Sequence, residues 1–375
     1  MPEPDQSPRV WVLDAYRSGE KTQVRALAQG LDWPYEIKSL TYRKNEIRTT
    51  LFRGRDLRGV NLLASDPLTP PWPDLVISMG MRNEPVARWI KDQSGGRTKL
   101  VFLGRLWADP AHFDLVITTP QYRVPDRPNV VRNALPLHPL TPERLDAARS
   151  HWAPKLAHLP RPYLTLNIGG PSGPYAFGAR ASARLLCDTL ALVRARGGSL
   201  LVSSSARTPA EAIAAFGAQT DVPMQLYRFR PNDPDNPYLG FLAVADEIIV
   251  TADSISMLSE AYATGKPVHM FDLGAGSLSM RHDALVAVGE SAQARTLARK
   301  DTDRSDLSLG ALAYRALMRW GWKHLSRDIS QMHLRLARSG RMTWLGEAAH
   351  PNSDTPPPSD MTRAVARITA LLGRD

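Results

Sequence analysis

A short run in the second half of the chain combines the residue types that bind phosphates and sugars. Residues 248–250 are β-branched without alternation, which predicts a strand of a parallel sheet covered on both faces. Asp253 and Ser254 follow it and predict N-cap chemistry for a short helix, while Gly265 and Pro267 indicate where that helix ends. The run therefore predicts a strand, a polar turn, a helix and a second strand.

This predicted helix brings a carboxylate close to free backbone N–H groups. Ser256 and Glu260 are four residues apart in the sequence, so they share a helix face. At the carboxyl edge of a parallel sheet, N–H groups bind a diphosphate and a carboxylate accepts ribose hydroxyls. We interpret the element as nucleotide-binding, against the alternative of an ordinary βαβ unit with a capping Asp253. An anionic Asp253 would repel a diphosphate unless capping occupies its side chain.

Three other loops follow predicted strands of this half, where an open α/β sheet presents ligands. The adjacent glycines of 169–173 allow a phosphate to approach closely, and 203–207 offers hydroxyls and a guanidinium. Residues 236–240 lie at the start of a predicted helix, where their backbone groups are placed to contact a base or a phosphate. Each of these loops, taken alone, also fits a plain turn or a helix cap. The expected substrate-binding residues are Gly19, Gly169, Gly170, Ser172, Ser204, Ser205, Arg207, Asn236, Tyr238, Asp253, Ser254, Ser256 and Glu260.

If the bound nucleotide is the donor of a group to an acceptor hydroxyl, the reaction needs a base near that hydroxyl, and the first half offers candidates. Asp14 ends the first predicted strand, Gly19 lies in the following turn, and Glu20 comes directly after it. We predict Asp14 or Glu20 as the catalytic base, although each also fits a structural turn or cap. Lesser candidates are Asp109, His112 and Asp114.

No metal or further cofactor is expected. Asp233 and Asp235 form a D-x-D pattern inside a Pro-rich turn, and the histidines show no metal-ligand spacing. In a group transfer, helix N-termini and Arg207 would stabilise the negative charge of the leaving group. The chain has no Walker loop, no G-x-S-x-G elbow and no cysteine nucleophile near a histidine, since its single cysteine is Cys187 in a helical pattern.

Alternating strand and helix patterns predict two parallel α/β domains. The first, 1–150, has strands at 10–13, 75–77, 100–103 and 115–118 and helices near 21–31 and 84–91. The second, 160–345, has strands at 163–168, 199–203, 224–229, 248–250 and 268–271, helices at 179–196 and 210–216, and one long helix from 310 to about 338. A helix-bearing connection at 139–161, a Pro-rich linker at 346–359 and a helix at 360–375 complete the chain.

The motifs of the second half resemble known families. Residues 245–268 resemble the donor-binding segment of GT-B glycosyltransferases, especially the family that adds N-acetylglucosamine to a peptidoglycan lipid, in which the residue matching Glu260 grips the ribose. The resemblance implies two Rossmann-like domains facing across a cleft, with a returning C-terminal helix, and a nucleoside-diphosphate sugar as the donor substrate.

A narrower resemblance covers most of the chain. "IGGPSG" (168–173), "SSSARTP" (203–209), "NPY-x-GFLA-x-AD" (236–246) and "VTADSISMLSEA-x-ATGKPV" (250–268) are similar to the bacterial and plant family labelled mitochondrial fission proteins, of the elongated-mitochondria type. "SGEKTQ" (18–23) and "FDLVIT" (113–118) match more loosely, and 104–106 reads Gly-Arg-Leu where the family often has an "HPR"-like motif. Bacterial members are suspected glycosyltransferases, whereas the plant member is described as a peripheral factor that recruits a dynamin-related protein.

The charge of the chain restricts the kinds of binding partner that it favours. The 375 residues carry a formal charge of +10, which favours an anionic partner. Basic residues interleaved with apolar ones at 38–58 fit either a solvated face or contact with an anionic membrane, and no motif indicates nucleic acid. We predict a cytoplasmic protein, because the chain has a single cysteine, no apolar run of roughly 18 residues and no signal or transit peptide pattern at its N-terminus. If the basic segment contacts a membrane, the protein would lie at the inner face of that membrane.

These observations lead to one principal hypothesis and two alternatives. The principal one is a metal-independent glycosyltransferase that uses a nucleotide sugar and acts on an acceptor held by the basic first domain, lipid-linked in one version. The alternatives are a non-catalytic adaptor at the membrane surface, and a sugar-nucleotide epimerase or hydrolase on the same fold.

Overall fold

The computed structural model describes residues 7–43, 54–219, 221–281, 283, 308–320, 326–347 and 360–374. These residues divide into two compact units. The first contains the described residues up to Pro139 and those from Asp360 onward, and the second contains the described residues from Leu140 to 347. The C-terminal helix therefore belongs to the unit that begins the chain.

The first unit is a parallel six-stranded sheet of strand order β2-β1-β3-β4-β5-β6. Its strands are β1 (Val10–Leu13), β2 (Tyr35–Lys38), β3 (Leu75–Met79), β4 (Lys99–Leu103), β5 (Leu115–Thr118) and β6 (Val130–Arg132). Its helices are α1 (Ser18–Gly30), α2 (Asn83–Gln93) and, at the end of the chain, α10 (Asp360–Leu371). Helix α1 starts earlier than predicted, so Gly19 and Glu20 lie in its first turn and the predicted turn at Gly19 is wrong.

Both faces of this sheet are covered by apolar side chains. Val12 and Ile77 pack in one buried cluster with residues of α1 and α10, while Trp11 and Val76 pack in a second cluster with residues of α2. Neighbouring residues of a strand point to opposite faces, so a sheet covered on both sides needs continuous apolar strands.

The second unit repeats the plan with strand order β12-β11-β10-β7-β8-β9, again parallel throughout. Its strands are β7 (Tyr163–Asn167), β8 (Ser199–Ser203), β9 (Met224–Tyr227), β10 (Glu247–Thr251), β11 (Val268–Phe271) and β12 (Met342–Trp344). Its helices are α3 (Pro142–Leu156), α4 (Ala179–Arg196), α5 (Ala210–Ala218), α6 (Tyr238–Val244), α7 (Ile255–Ala263), α8 (Leu309–Trp320) and α9 (Ser330–Arg338). Strand order reverses between β7 and β10, which makes their carboxyl ends a topological switch point.

The prediction of one long helix from 310 to about 338 is wrong. The structure has α8 and α9 there, and Asp328 lies between them. The Asp328 carboxylate accepts a hydrogen bond from the Ser330 backbone N–H at 3.2 Å. A short polar side chain that bonds the backbone two residues on favours a turn over a continuing helix.

Two predicted segments lie largely outside the described residues. They are the centre of the basic segment, 44–53, and most of the Pro-rich linker, 348–359. At the edge of the basic segment, Arg55 pairs with Asp92 at 3.3 Å and the Arg58 side chain is 81% exposed. Within the described ranges, every helix is too short or too polar to cross a bilayer. Membrane contact through 38–58 stays a prediction.

Candidate functional site

Three loops of the second unit meet at the switch point between β7 and β10. The loop after β7 begins at Ile168, the loop after β8 begins at Ser204, and the turn between β10 and α7 contains Asp253. The Gly170 N–H donates to the Asp253 carboxylate at 2.9 Å, and the Arg207 guanidinium donates to the same oxygen at 3.0 Å. The structure therefore brings together three of the four loops that the sequence assigned to ligand binding.

Asp253 is the centre of this cluster. Its side chain is fully buried, whereas the side chain of its partner Arg207 is 48% exposed. Burial raises the pKa of Asp253, while Arg207, the Gly170 N–H and the Thr251 hydroxyl act in the opposite direction. Oδ2 of Asp253 accepts the charge-assisted hydrogen bonds from Gly170 and Arg207, whereas Oδ1 is buried and has no hydrogen-bond partner among the described residues.

The predicted N-cap role of Asp253 and Ser254 is wrong. Ser254 occupies the N-cap position of α7, but its side chain makes no capping hydrogen bond. Asp253 instead bonds through Oδ2 to groups on the loops after β7 and β8, because a guanidinium and a buried N–H together bind a carboxylate oxygen more strongly than one helical N–H does. The first-turn N–H groups of α7 therefore receive no bond from the Ser254 side chain at the N-cap.

The two adjacent glycines make room for protein atoms. A Cβ on Gly169 would lie 2.5 Å from both carboxylate oxygens of Asp253, and one on Gly170 would lie 2.1 Å from the Arg207 carbonyl oxygen. The close approach expected for a phosphate is here an approach between loops of the chain itself.

The predicted hydroxyl groups mostly bind the loops to one another. Ser205 donates to the Gly169 carbonyl at 3.2 Å, and Thr208 donates to the same carbonyl at 2.8 Å. Ser204 accepts the Phe229 N–H at 2.8 Å, and Ser172 accepts from the Arg327 guanidinium at 2.5 Å. These contacts fix the shape of the carboxyl edge, and the role of these residues toward a ligand stays a prediction.

The fourth loop meets α7 through a tyrosine and a glutamate. The Tyr238 hydroxyl donates to the Glu260 carboxylate, and Asn236 accepts the Tyr238 N–H at 3.0 Å at the start of α6. Tyr238, Glu260 and Ser256, which lies on the same helix as Glu260, are all half-buried. Burial raises the pKa of Glu260 from 4.5 to about 7, against the opposing effects of Tyr238 and Arg144.

Two buried polar residues near this edge, Asn167 and His333, were not predicted as site residues from the sequence. Asn167 ends β7 with no exposed surface, and among the described residues neither its amide oxygen nor its amide nitrogen has a hydrogen-bond partner. His333 of α9 is also buried and bonds through Nε2 to the Ala252 carbonyl at 2.6 Å, directly before Asp253. The available signal for Asn167 was a polar residue at the end of an apolar strand, two residues before the first of the two adjacent glycines.

His333 makes the stability of the second unit sensitive to acid. Burial lowers the pKa of His333 from 6.5 to about 4, so the unfolded chain binds a proton in a range where the folded chain does not. Stability should therefore fall as the pH drops from 6.5 to 4, by up to about 3 kcal/mol for this group. We expect His333→Gln, which keeps a donor for Ala252, to lose less stability over this range in urea unfolding at several pH values. Equal losses in the two proteins would contradict this role of His333.

The carboxyl edge of the first sheet holds the predicted catalytic residues. The Asp14 carboxylate accepts hydrogen bonds from Lys21 at 2.8 Å and from Arg25 at 3.3 Å, so it forms ion pairs with two cationic side chains. Glu20 lies beside the neighbouring strand end, since a Cβ on Gly80 would be 3.1 Å from its carboxylate. The assignment of either residue as the base stays a prediction, as does a binding role for Gly19, whose carbonyl accepts from Gln23 at 3.1 Å.

Two residues of α2 organise this first edge, and the sequence analysis did not select them. Asn83 donates to the carbonyls of Met79 at 2.9 Å and Asp14 at 3.2 Å, which joins the ends of β1 and β3. Glu84 accepts the N–H groups of Trp107 and Ala108, both at 2.8 Å, and burial raises its pKa from 4.5 to about 7. Within the described part of the chain, no three His, Cys, Asp or Glu side chains gather in a way that would hold a metal ion.

Two parallel sheets with this strand order define a doubly wound α/β protein, as predicted. The chain belongs to the family described as Mitochondrial fission ELM1, which matches it over residues 18–371, and the family resemblance is thereby confirmed.

Individual relatives are more distant or shorter in overlap. Mitochondrial fission protein ELM1 of Arabidopsis thaliana is 30% identical over 237 residues, which is 57% of this chain and 55% of that protein. Uncharacterized protein RP120 of Rickettsia prowazekii is 42% identical over 71 residues, 19% of this chain and 20% of the other. The chain thus spans about half the length of the first relative and a fifth of the second.

Solved structures show only a distant similarity. UDP-GlcNAc 2-epimerase from Neisseria meningitidis, bound to UDP-GlcNAc, is 11% identical with a TM-score of 0.48, covering 98% of this chain and 100% of the other. MurG of Acinetobacter baumannii is 12% identical with a TM-score of 0.41, covering 97% and 99%. Values this low carry no functional argument.

Proposed function

We propose that this chain is a metal-independent glycosyltransferase that binds a nucleoside-diphosphate sugar at the carboxyl edge of the β7–β12 sheet. The observation that carries the proposal is the meeting of the loops after β7, β8 and β10 at the switch point, through the bonds of Asp253 to Gly170 and Arg207. Open α/β sheets bind nucleotides at such points, because loops on either side of the reversal diverge and leave a crevice.

The proposed ribose contact is Glu260. Glu260 lies in the second turn of α7, one turn beyond the N-terminus of that helix. The phosphates would then lie at the first-turn N–H groups of α7, with the Ser254 and Ser256 hydroxyls as further donors. Tyr238, which now donates to Glu260, would give up that bond to the ribose hydroxyls or bind the ligand beside them.

The proposed acceptor side is the first unit. Asp14 or Glu20 would remove the proton from the acceptor hydroxyl at the carboxyl edge of the β1–β6 sheet. The acceptor would be lipid-linked if the basic residues of 38–58 contact an anionic membrane, and the protein would then work at the inner face of that membrane. The leaving diphosphate would be stabilised by helix N–H groups and Arg207 in place of a divalent ion.

The family membership supports one alternative, a non-catalytic adaptor. The Arabidopsis relative is named for mitochondrial fission, a process in which binding to a partner could suffice. An adaptor needs no nucleotide, so nucleotide binding separates the two proposals. A sugar-nucleotide epimerase or hydrolase would bind the same donor, and mass spectrometry of the products with and without candidate acceptors would distinguish it from a transferase.

The proposed role of Glu260 predicts a pH dependence of donor binding. A carboxylate accepts two ribose hydroxyls only when ionised, and the pKa of Glu260 is raised to about 7. Affinity for UDP-N-acetylglucosamine, UDP-glucose or another donor sugar nucleotide should therefore rise about tenfold between pH 6 and pH 8, as the ionised fraction increases. Glu260→Gln should bind at least about tenfold more weakly at pH 8 and lose this dependence. Isothermal titration calorimetry measures both quantities.

A matched control is Glu211→Gln, which makes the same change at an exposed carboxylate of α5. It should bind the donor as the unaltered protein does. The transferase proposal fails if no nucleoside diphosphate or sugar nucleotide binds up to millimolar concentration, or if Glu260→Gln binds as well as Glu211→Gln at every pH.

A further inference from the structure

The Asp253 carboxylate is held by the kind of donors that ordinarily hold a phosphate. A main-chain N–H at a strand tip, from Gly170, and a guanidinium, from Arg207, both donate to one of its oxygens. Main-chain N–H groups and arginine are the standard pair for binding phosphate oxygens. The chain therefore supplies its own anion at the switch point.

The surrounding loops are shaped around this internal anion. Gly169 has no room for a Cβ because the Asp253 carboxylate lies 2.5 Å from where it would be. The other terminal nitrogen of the Arg207 guanidinium donates to the carbonyls of Gly170 at 3.2 Å and Pro171 at 3.0 Å. Both terminal nitrogens of Arg207 are thus directed at atoms of the chain.

Arg207 nevertheless remains reachable from outside. Its side chain is 48% exposed, while the side chain of Asp253 is completely buried. A phosphate that arrives at this edge meets the guanidinium on its solvent side and finds the charge of that guanidinium already balanced. Two anions close together in a partly desolvated site repel each other, so the internal one weakens binding of the external one.

We propose that Asp253 competes with ligand phosphates for Arg207 and the Gly170 N–H, and thereby weakens binding of pyrophosphate groups at this site. The inference rests on the proposed function, since it assumes that the diphosphate of a donor comes to this edge. It predicts that neutralising Asp253 strengthens binding, which is the opposite of what the loss of a ligand-binding residue does.

The test compares Asp253→Asn with the unaltered protein, using inorganic pyrophosphate and UDP as probes in calorimetry. Asparagine keeps the shape and an acceptor for the Gly170 N–H but removes the charge. We expect pyrophosphate to bind at least about tenfold more tightly to Asp253→Asn, and the double variant Asp253→Asn with Arg207→Gln to lose this gain. Asp253→Ser provides a second neutral variant if the asparagine protein folds poorly.

A matched control is Asp246→Asn. Asp246 also pairs with an arginine, Arg161, at 2.8 Å and accepts a backbone N–H, from Tyr163, at 2.7 Å, but it lies at the amino end of β10. It should leave pyrophosphate affinity unchanged. The inference is overturned if neither Asp253→Asn nor Asp253→Ser gains affinity, or if Asp246→Asn gains as much, because the effect would then be one of net charge.

The two proposals fail in different ways. If Asp253→Asn gains pyrophosphate affinity while Glu260→Gln leaves nucleotide binding unchanged, the competition by Asp253 stands and the ribose site falls. If Glu260→Gln abolishes sugar-nucleotide binding while neither Asp253 variant gains affinity, the donor site stands and the competition by Asp253 falls.

Discussion

Replacing Gly170 with alanine should destabilise the second unit by about 3 kcal/mol and abolish ligand binding at its carboxyl edge. A Cβ at this position would lie 2.1 Å from the Arg207 carbonyl oxygen and 2.6 Å from the Arg207 carbonyl carbon. These are backbone atoms, which cannot rotate away as the end of a long side chain does. The loop after β7 or the loop after β8 must therefore shift.

Such a shift would break the bonds that hold the cluster. The Gly170 N–H would lose the Asp253 carboxylate, and Thr208 would lose the carbonyls of Ile168 and Gly169, both now at 2.8 Å. Asp253 would remain buried with fewer donors, and an underbonded buried carboxylate is strongly unfavourable. The cost of the substitution therefore combines steric overlap with lost hydrogen bonds.

Urea unfolding and nucleotide titration would measure the two effects. Gly310→Ala is the matched control, because Gly310 lies in α8 and the nearest described atom to a new Cβ there is the Ser308 hydroxyl oxygen at 3.8 Å. That change should be neutral or slightly stabilising, since alanine favours helix over glycine by roughly 1 kcal/mol. If Gly170→Ala unfolds at the same urea concentration as Gly310→Ala, the tight packing of the two loops is not what holds this edge.

The sequence was sufficient to predict the central strands of the second sheet, β7, β8, β10 and β11, because they are buried on both faces. A short β-branched run such as 248–250, flanked by polar turns, seldom forms anything except a buried strand, and β8 and β11 have the predicted bounds. The strands that were not predicted, β2, β6 and β12, lie at sheet edges and are only three or four residues long. Short edge strands have too little apolar pattern to separate them from loops.

The candidate site was predictable in location but not in its bonding. Parallel strands bring their carboxyl ends to one edge, so polar loops that follow them gather there whatever they bind. The hydrogen-bond partner of Asp253 was not predictable from the sequence. The same aspartate side chain fits a capping bond to the following helix and a bond to Gly170, which lies 83 residues earlier. Only the strand order, which places β7 beside β10, decides between the two.

For the C-terminal helix too, the sequence predicted the helix but not the residues against which it packs. Its helical spacing of apolar residues predicted α10, whereas the structure adds that the helix completes the core of the first unit. Ala364 and Ile368 have no exposed surface, and the Asp360 carboxylate accepts the Leu135 N–H at 2.9 Å. Residues from the two ends of the chain thus share one hydrophobic core.

Ile368→Asp should destabilise the first unit by at least about 4 kcal/mol, because it places a carboxylate in an apolar core and removes a large side chain. Ile368 packs in the cluster that contains Val24 and Leu27 of α1, where none of the clustered residues is charged. Ala366→Asp is the matched control, since it adds the same group to an exposed position on the same helix. It should change stability by less than about 0.5 kcal/mol.

Hydrogen exchange would locate the effect. Backbone amides of β1 and β3 should lose most of their protection in Ile368→Asp, because the cluster that Ile368 completes includes Val12 and Ile77 from these strands. Amides of β7 and β10 should keep more protection, since their contacts lie within the second unit. Equal protection of β1 in Ile368→Asp and Ala366→Asp would mean that α10 does not complete this core in solution. Loss of protection confined to α10 itself would mean that the helix detaches while the sheet beneath it stays folded.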